Sequence, residues 1–332
     1  MTAITPACQL LERQSEEYRD WLWVAPPMDP WLDDHPGPVW SADLAICQAW
    51  RARGATVYDD LSPAIAAVPG AVLFWPKAHA LGEWWLLALC AQLPKGTRLQ
   101  IVGENQGGIR RVLKVLAALG LGCRKLDNAR RCTLFETRLG PVGLVPDDAW
   151  TSFEALGLRL VSHPGVFGHG KLDAGTRLLL DNLPASSEFA GRKVLDVGCG
   201  DGVIAAWLAA RGAEVTAVDS SLFAVEATRR TLAANALSGS VLQGDVYAAL
   251  PEDARFDAII SNPPFHQERA IDRGPAARLI REAPGHLEKG GRLTLVANAF
   301  LPYPDLLEAA FGGFDILADD RRFRVYRAIR RR

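Results

Sequence analysis

Residues 194–202 read VLDVGCGDG, and no other stretch restricts the fold of this chain as tightly. Apolar residues run into a turn with glycine at every second position (Gly198, Gly200 and Gly202), and an apolar helical run, VIAAWLAARG, follows at once. A strand entering a helix through such a turn brings its backbone close to a ligand, because glycine has no Cβ to obstruct the approach. Asp196, at the strand end, is placed to accept from an ammonium group or to order a water beside a bound cofactor. A nicotinamide-dinucleotide fingerprint would put its third glycine where Val203 stands. No Lys-Ser/Thr pair follows the turn, so it is a poor phosphate cradle.

Three further strand ends follow in order. AEVTAVDSS ends in Asp219 and Ser220, and an acid there can hold both ribose hydroxyls of a nucleoside cofactor. SVLQGDVY carries Asp245 and Val246, with the carboxylate placed to accept from an adenine amino group. FDAIISNPPF ends in Asn262, Pro263, Pro264 and Phe265. A glycine turn alone is an ordinary strand-helix corner; four strand ends in this order make a strong cofactor signature.

These four segments resemble the class I S-adenosylmethionine-dependent methyltransferases, and NPPF is similar to the tetrapeptide of the branch that methylates conjugated amino or amide nitrogens. HPGVFGHGKLDAGTRLLL, SNPPFH, VANAFLPYPDLL and RFRVYRAI, with FWPKA, LPKGTRLQIVGEN and KLDNARRCTLF upstream, resemble the RsmC family of small-subunit rRNA guanine-N2 methyltransferases. The resemblance implies S-adenosylmethionine as cofactor, held by Asp196, Gly198, Gly200, Asp219, Ser220, Asp245, Val246 and Asn262. It also implies that the segment of Phe167 and Asp173 closes over the methionine end. It makes residues 262–265 catalytic and 16S rRNA the substrate, within the small ribosomal subunit or an assembly intermediate. The implied architecture is two Rossmann-like α/β domains in tandem, a degenerate one over residues 1–149 and a seven-stranded catalytic one over 150–332. Asp173, preceding the helical AGTRLLLDNL, is also an N-cap candidate on physical grounds.

The N-terminal half alternates strand-like and helix-like segments, which implies a mostly parallel sheet with crossover helices. It also parallels the C-terminal half: AVLFWPKA with AIISNPPF, LPKGTRLQIVGEN with LEKGGRLTLVANA, and RRCTLFETR with RRFRVYRAI. Leu73 then corresponds to Ile260, Leu93 to Leu287 and Arg131 to Arg322. The first copy has no glycine turn, and Trp75-Pro76-Lys77 replaces Asn-Pro-Pro, so it is expected to have lost cofactor and chemistry. After NPPF, a loop, a helix over about 276–287 and a closing strand pair suggest a sheet with one reversed strand at its end.

The formal charge is −1, yet residues 95–138 hold ten Lys/Arg against three acids, and residues 321–332 hold seven Arg and no acid. A charge run is commonly a solvated face. Two such runs in a near-neutral chain nevertheless make a localised phosphate-binding surface plausible. Arg110, Arg111, Lys114, Arg130 and Arg131 are the candidate RNA contacts, with His266 beside the tetrapeptide as a sixth. Nine of ten tryptophans precede residue 151 and sit among apolar neighbours, which favours core over base stacking. His163, His169 and His286 read as loop or surface residues. The six cysteines form no CxxC and keep no His cluster, so no metal is expected and the thiols read as buried in a reducing compartment. The acidic N-terminus lacks signal-peptide character and no segment reaches membrane-spanning length, which places the chain in the cytoplasm, as a monomer.

An exocyclic guanine amino group is a poor nucleophile, its lone pair being delocalised into the ring. Asn262 Oδ1 and the Pro263 carbonyl can both accept from it, turning the lone pair toward the methyl donor; alignment supplies much of the catalysis. Phe265 offers a flat face to the base, where stacking contributes roughly 1–3 kcal/mol. Other readings use the same chemistry on 23S rRNA, on a protein glutamine or on DNA adenine. A glutamine methyltransferase would carry a small helical N-terminal domain and Tyr at 265, and a DNA enzyme a target-recognition insertion. A non-catalytic RNA-binding protein would have no need to keep Asp196, Asp219, Asp245 and Asn262 together.

Overall fold

A computed structural model describes residues 4–184, 186–263 and 274–331. The chain forms two compact units, Met1–Trp150 and Thr151–Arg332.

The first unit contains strands β1 (Leu22–Val24), β2 (Val39–Trp40), β3 (Val57–Tyr58), β4 (Gly70–Phe74), β5 (Arg98–Glu104), β6 (Arg124–Ala129) and β7 (Cys132–Arg138). Its helices are α1 (Pro6–Glu12), α2 (Leu44–Ala52), α3 (His79–Gln92) and α4 (Val112–Ala118), the last preceded by a 3-10 turn at Ile109–Arg111. The strands line up as β3-β2-β1-β4-β5-β7-β6, with β7 antiparallel to both neighbours. Eight tryptophans (21, 23, 31, 40, 50, 75, 84 and 85) are buried in this unit, so they build its core and are closed to base stacking. Tyr18 stands at their centre and donates to Gln100 Oε1 at 2.7 Å, which satisfies two buried polar groups at once.

The second unit begins with a hairpin, β8 (Thr151–Ala155) and β9 (Leu158–Ser162), and then α5 (Ala174–Asp181). Its sheet is built from β10 (Lys193–Val197), β11 (Glu214–Asp219), β12 (Ser240–Gln243), β13 (Phe256–Ser261), β14 (Leu287–Asn298), β15 (Asp315–Asp319) and β16 (Phe323–Ile329). Helices α6 (Val203–Ala209), α7 (Leu222–Ala234), α8 (Pro275–His286) and α9 (Tyr303–Phe311) connect them. The order is β12-β11-β10-β13-β14-β16-β15, position for position that of the first unit. The reversed strand, β16, is not at the edge as expected; its tight hairpin with β15 places it between β14 and β15.

The repeat extends to single hydrogen bonds. Asn105 N–H donates to the Arg131 carbonyl at 2.8 Å, and Ala299 N–H to the Arg322 carbonyl at 2.9 Å. Gly96 and Gly290 N–H donate likewise to the carbonyls of Leu139 and Arg330. A bulge between Lys125 and Asp127 has its counterpart between Ile316 and Ala318. What differs is the site-bearing end. Trp75, where the second unit has Asn262, is 7% exposed, and a Cβ on Gly82 would lie 2.6 Å from its ring. The indole is packed against α3 at Gly82, where an added Cβ would clash with it.

Gly202 caps α6 at φ +81°, and a Cβ there would come 2.9 Å from the Cα of Thr228 in α7. Backbone cannot yield as a flexible side chain does, so Gly202→Ala is expected to lower stability by about 1–3 kcal/mol from overpacking, before any cost of the positive φ. Urea denaturation of the whole chain measures this; an unchanged midpoint would contradict the close helix packing.

Candidate active site

The cavity of the second unit, about 500 Å³, opens at the carboxyl ends of β10, β11 and β13. Strand order reverses at β10 and β13, where crossovers leave to opposite sides and a crevice follows from topology. Gly198 and Gly200 lie at φ +76° and +57°, conformations that glycine adopts without the strain a side chain brings, and they keep the backbone of the turn bare toward the cavity. The turn is held from two sides. Gly198 N–H donates to the Val218 carbonyl at 2.8 Å, while the hydroxyls of Thr228 and Thr231 in α7 donate to the carbonyls of Gly200 and Asp201.

Asp219 ends β11 and lines the cavity. It accepts from Gly200 N–H at 3.1 Å and Ser221 N–H at 2.9 Å, one on each oxygen, which locks the carboxylate against the turn. Burial nevertheless raises its pKa, with those backbone N–H groups opposing. Ser220 and Val246 line the same wall, and Val246 sits at φ +56°, a strained conformation for a β-branched residue. Asp245 also lines the cavity, but both its oxygens meet Arg278 Nη2 of α8, at 2.5 and 2.6 Å. Arg278, which no local pattern of residues singles out, therefore shares the charge of Asp245 at the cavity wall.

Asp196 is fully buried behind the turn and does not line the cavity. Neither carboxylate oxygen has a partner at hydrogen-bonding geometry. Burial, and then the charge of Asp219, push its pKa up to about 8, with the Ala205 backbone N–H acting in the opposite direction. Asp201 does line the cavity, and burial raises it to about 7.

Asn262 lies just beyond β13 and its side chain is pinned on one side only. Its Nδ2 donates to Asp173 Oδ2 at 3.0 Å and to Thr176 Oγ1 at 2.8 Å, while Oδ1 is buried and, among the described residues, has no partner. Asp173 is the N-cap of α5, accepting from Thr176 N–H at 3.0 Å, so capping and amide clamping share one carboxylate. Thr176 was missed by sequence reasoning, although its place three residues after the cap was a readable signal. Pro263 and the exposed Phe167 line the cavity, as does Lys171, also unselected from sequence. Pro264, Phe265 and His266 lie outside the described residues.

His163 lies in the loop after β9, as expected, but not at the surface. His163 is fully buried, stacked on Phe223 at 4.4 Å, and accepts from Gly165 N–H through Nδ1; burial lowers its pKa to about 3. His169 meets the Ser162 hydroxyl at 2.9 Å, and His286 stacks on Tyr247. All six cysteines are free, and among the described residues no group of three or more His, Cys, Asp or Glu is arranged for a metal ion. Among the same residues no helix is long and apolar enough to cross a membrane.

Structure also divides the basic runs. Arg98 and Arg124 pair with Glu136, and Arg324 and Arg327 pair with Asp319 and Asp315, so those are structural. Arg130 and Arg131 form the β6–β7 turn at φ +54° and +61°. Arg110, Arg111 and Lys114 line one cleft beside α3.

The raised acids predict a pH dependence. Between their ordinary values and about 7–8 the folded chain holds protons that the unfolded chain has released, so stability declines as pH rises through that window and levels off above it. The thermal midpoint of the ligand-free protein should fall from pH 7 to 9, above the range where unfolding lets His163 ionise. Asp196→Asn, which cannot ionise, should flatten that slope; an identical slope would contradict the buried-acid assignment.

A family model described as methyltransferase small domain matches residues 157–327, and its N-terminal companion matches residues 9–150. The chain is 68% identical over the full length of both proteins to the ribosomal RNA small subunit methyltransferase C of Chromohalobacter salexigens. It is 37% identical to the protein of that name from Yersinia pestis, covering 99% of this chain and 96% of the relative. A solved structure, the T. thermophilus 16S rRNA N2 G1207 methyltransferase (RsmC) in complex with AdoMet and guanosine, superposes with a TM-score of 0.87 at 31% identity, covering 98% of this chain and 92% of that one. Tandem sheets of one topology, a glycine turn in only the second, and similarity along the whole length agree: the chain belongs to the ribosomal RNA small subunit methyltransferase C family.

Proposed function

We propose that this protein transfers the methyl group of S-adenosylmethionine to the exocyclic N2 of a guanine in 16S rRNA. The observation that carries the reading is the Asn262 amide, tied down through Nδ2 and, among the described residues, unpartnered at its buried Oδ1. A buried acceptor without a donor costs free energy of order 1–3 kcal/mol, and a substrate amino group removes that cost. Full-length similarity to proteins named for the small subunit favours 16S over 23S rRNA.

The residues fit the cofactor. Bare backbone at Gly198 and Gly200 admits a closely packed ligand, and Asp219, locked by two backbone N–H groups, presents its remaining lone pairs to ribose hydroxyls. Asp245, sharing its charge with Arg278, would take the adenine edge beside Ser220 and Val246. Phe167 and Asp173 would stand at the methionine end, with Asp196 acting from behind the turn. When bound, S-adenosylmethionine supplies a methyl group on a sulfonium, an electrophile already activated.

The remaining work is orientation. Asn262 Oδ1 accepts one N2 proton and the Pro263 carbonyl the other, which pulls the nitrogen toward pyramidal geometry and frees its lone pair. Asp173 and Thr176 keep the amide from turning. Such preorganised dipoles act strongly in a site shielded from water. No strong base is needed before attack, because the nitrogen becomes acidic only once methylated. Phe265 is assigned to stack on the base and His266 to touch the base or a phosphate. The first unit, which lacks the glycine turn and has Trp75 in the place of Asn262, is assigned to RNA recognition through Arg110, Arg111, Lys114, Arg130 and Arg131. The enzyme is assigned to the cytoplasm, as a monomer acting on the small subunit or an assembly intermediate.

Cells lacking this gene are expected to lose N2-methylguanosine at one 16S rRNA position, by nucleoside mass spectrometry. The wild-type gene should restore it, and Asn262→Ala should not, while binding S-adenosylmethionine within a few-fold of wild type. Unchanged 16S modification in the deletion would overturn the assignment, and full restoration by the variant would overturn the mechanism.

A further inference from the structure

The repeat makes one departure in the first unit conspicuous. In the second unit α8 and α9 pack directly on each other, whereas α3 and α4, at the corresponding places, hardly touch and leave a cleft of about 690 Å³ between them. One wall is apolar, from Leu87, Val115 and Leu119, with Leu144 above it, 53% exposed. The other side carries Arg110, Arg111 and Lys114, exposed and, among the described residues, without an ion pair or side-chain hydrogen bond. The one acid of the lining, Glu83, meets His79 Nε2 at 2.9 Å and is outnumbered by the three cations, so the lining keeps a net positive charge.

A row of cations on a convex face would follow a phosphate backbone. Three cations beside a concave apolar wall are suited instead to a group that is flat and apolar at one end and anionic at the other. The volume lies within the range of ligand pockets. Sequence-specific RNA readers take splayed-out bases against aromatic rings or Arg guanidinium planes, and the lining here includes His79, Arg110 and Arg111. An enzyme that must draw its target base from the stack also needs neighbouring nucleotides held while it does so.

We propose that the α3–α4 cleft binds a single unstacked nucleotide of the RNA substrate, with its base on the Leu87–Val115–Leu119 wall and its phosphate on Arg110, Arg111 and Lys114. This rests on the rRNA reading above, and it adds a second nucleotide pocket in a unit that has no chemistry of its own. It differs from a simple phosphate patch because the apolar wall contributes, so filling the cleft must weaken binding even with every charge retained.

Two variants of the full-length enzyme separate these cases. Ala118→Trp, at an exposed lining position of α4, fills the cleft and keeps the charges. Arg111→Gln combined with Lys114→Gln keeps the cleft and removes two charges. Steady-state methylation of 16S rRNA substrate is expected to show KM raised about tenfold for Ala118→Trp, with kcat and S-adenosylmethionine affinity unchanged. The charge variant should raise KM and reduce the salt slope of RNA binding by about 0.7, as for one single-strand phosphate contact. Calorimetric titration with the four nucleoside 5′-monophosphates should give millimolar binding to wild type and none to Ala118→Trp, with inorganic phosphate weaker than any nucleotide. A wild-type KM in Ala118→Trp beside a raised KM in the charge variant would reduce the cleft to a phosphate patch and overturn the proposal. Competition by an acidic peptide but by no nucleotide would assign the cleft to a protein partner and also overturn it. Wild-type enzyme that methylates no 16S rRNA would instead refute the functional reading itself.

Discussion

A carboxylate has only acceptors, and that decides which way the Asn262 amide faces. Asp173 Oδ2 must receive Nδ2, so Oδ1 is turned the other way, into a buried position with no donor among the described residues. Two distant parts of the chain depend on this contact: the β13 end that carries Asn262 and the segment that begins α5. Because the same carboxylate caps α5, folding that helix and aiming the amide are one event. The cost of an unsatisfied buried acceptor is tolerated where a substrate amino group is to be received, which is where strained or unsatisfied groups are found in enzymes.

The two units show how one backbone plan supports a reactive site or a sealed one. Both sheets share strand order, the antiparallel seventh strand, a bulge and the hydrogen bonds that close their last hairpins. Divergence is concentrated at the carboxyl end of the fourth strand and the helices that follow. In the second unit the end of β10 is a glycine turn and the end of β13 carries Asn262. In the first, Trp75 occupies the latter place and packs onto Gly82, with a core of buried tryptophans beneath. Large aromatic residues supply burial that a ligand-binding site cannot, and the space freed instead lies between α3 and α4.

Much of this was legible in the sequence because backbone-dictated features leave backbone-dictated residues. Gly198, Gly200 and Gly202 all take positive φ, and among the described residues each expected strand end faces or underlies the cavity. Asp173 as a helix cap followed from residue type and position alone. Side-chain partnerships across long sequence separations were not legible. Arg278 meets Asp245 from a helix 33 residues away, and Thr176 meets Asn262 across 86. Charge counting could not tell Arg98, paired with Glu16 and Glu136, from Arg110. The burial of His163 followed from its stacking on Phe223, which no local pattern announces. The reversed strand was read correctly as reversed but set at the edge, since a hairpin's sequence does not say which arm pairs inward.

The most direct test of the central claim is a crystal structure of the enzyme with S-adenosylhomocysteine and guanosine. The expected result places guanine N2 about 2.7–3.2 Å from Asn262 Oδ1, with Nδ2 still on Asp173 and Thr176. An amide turned so that Nδ2 faces the base, or an Oδ1 satisfied by a protein donor while guanine N2 bonds elsewhere, would contradict it.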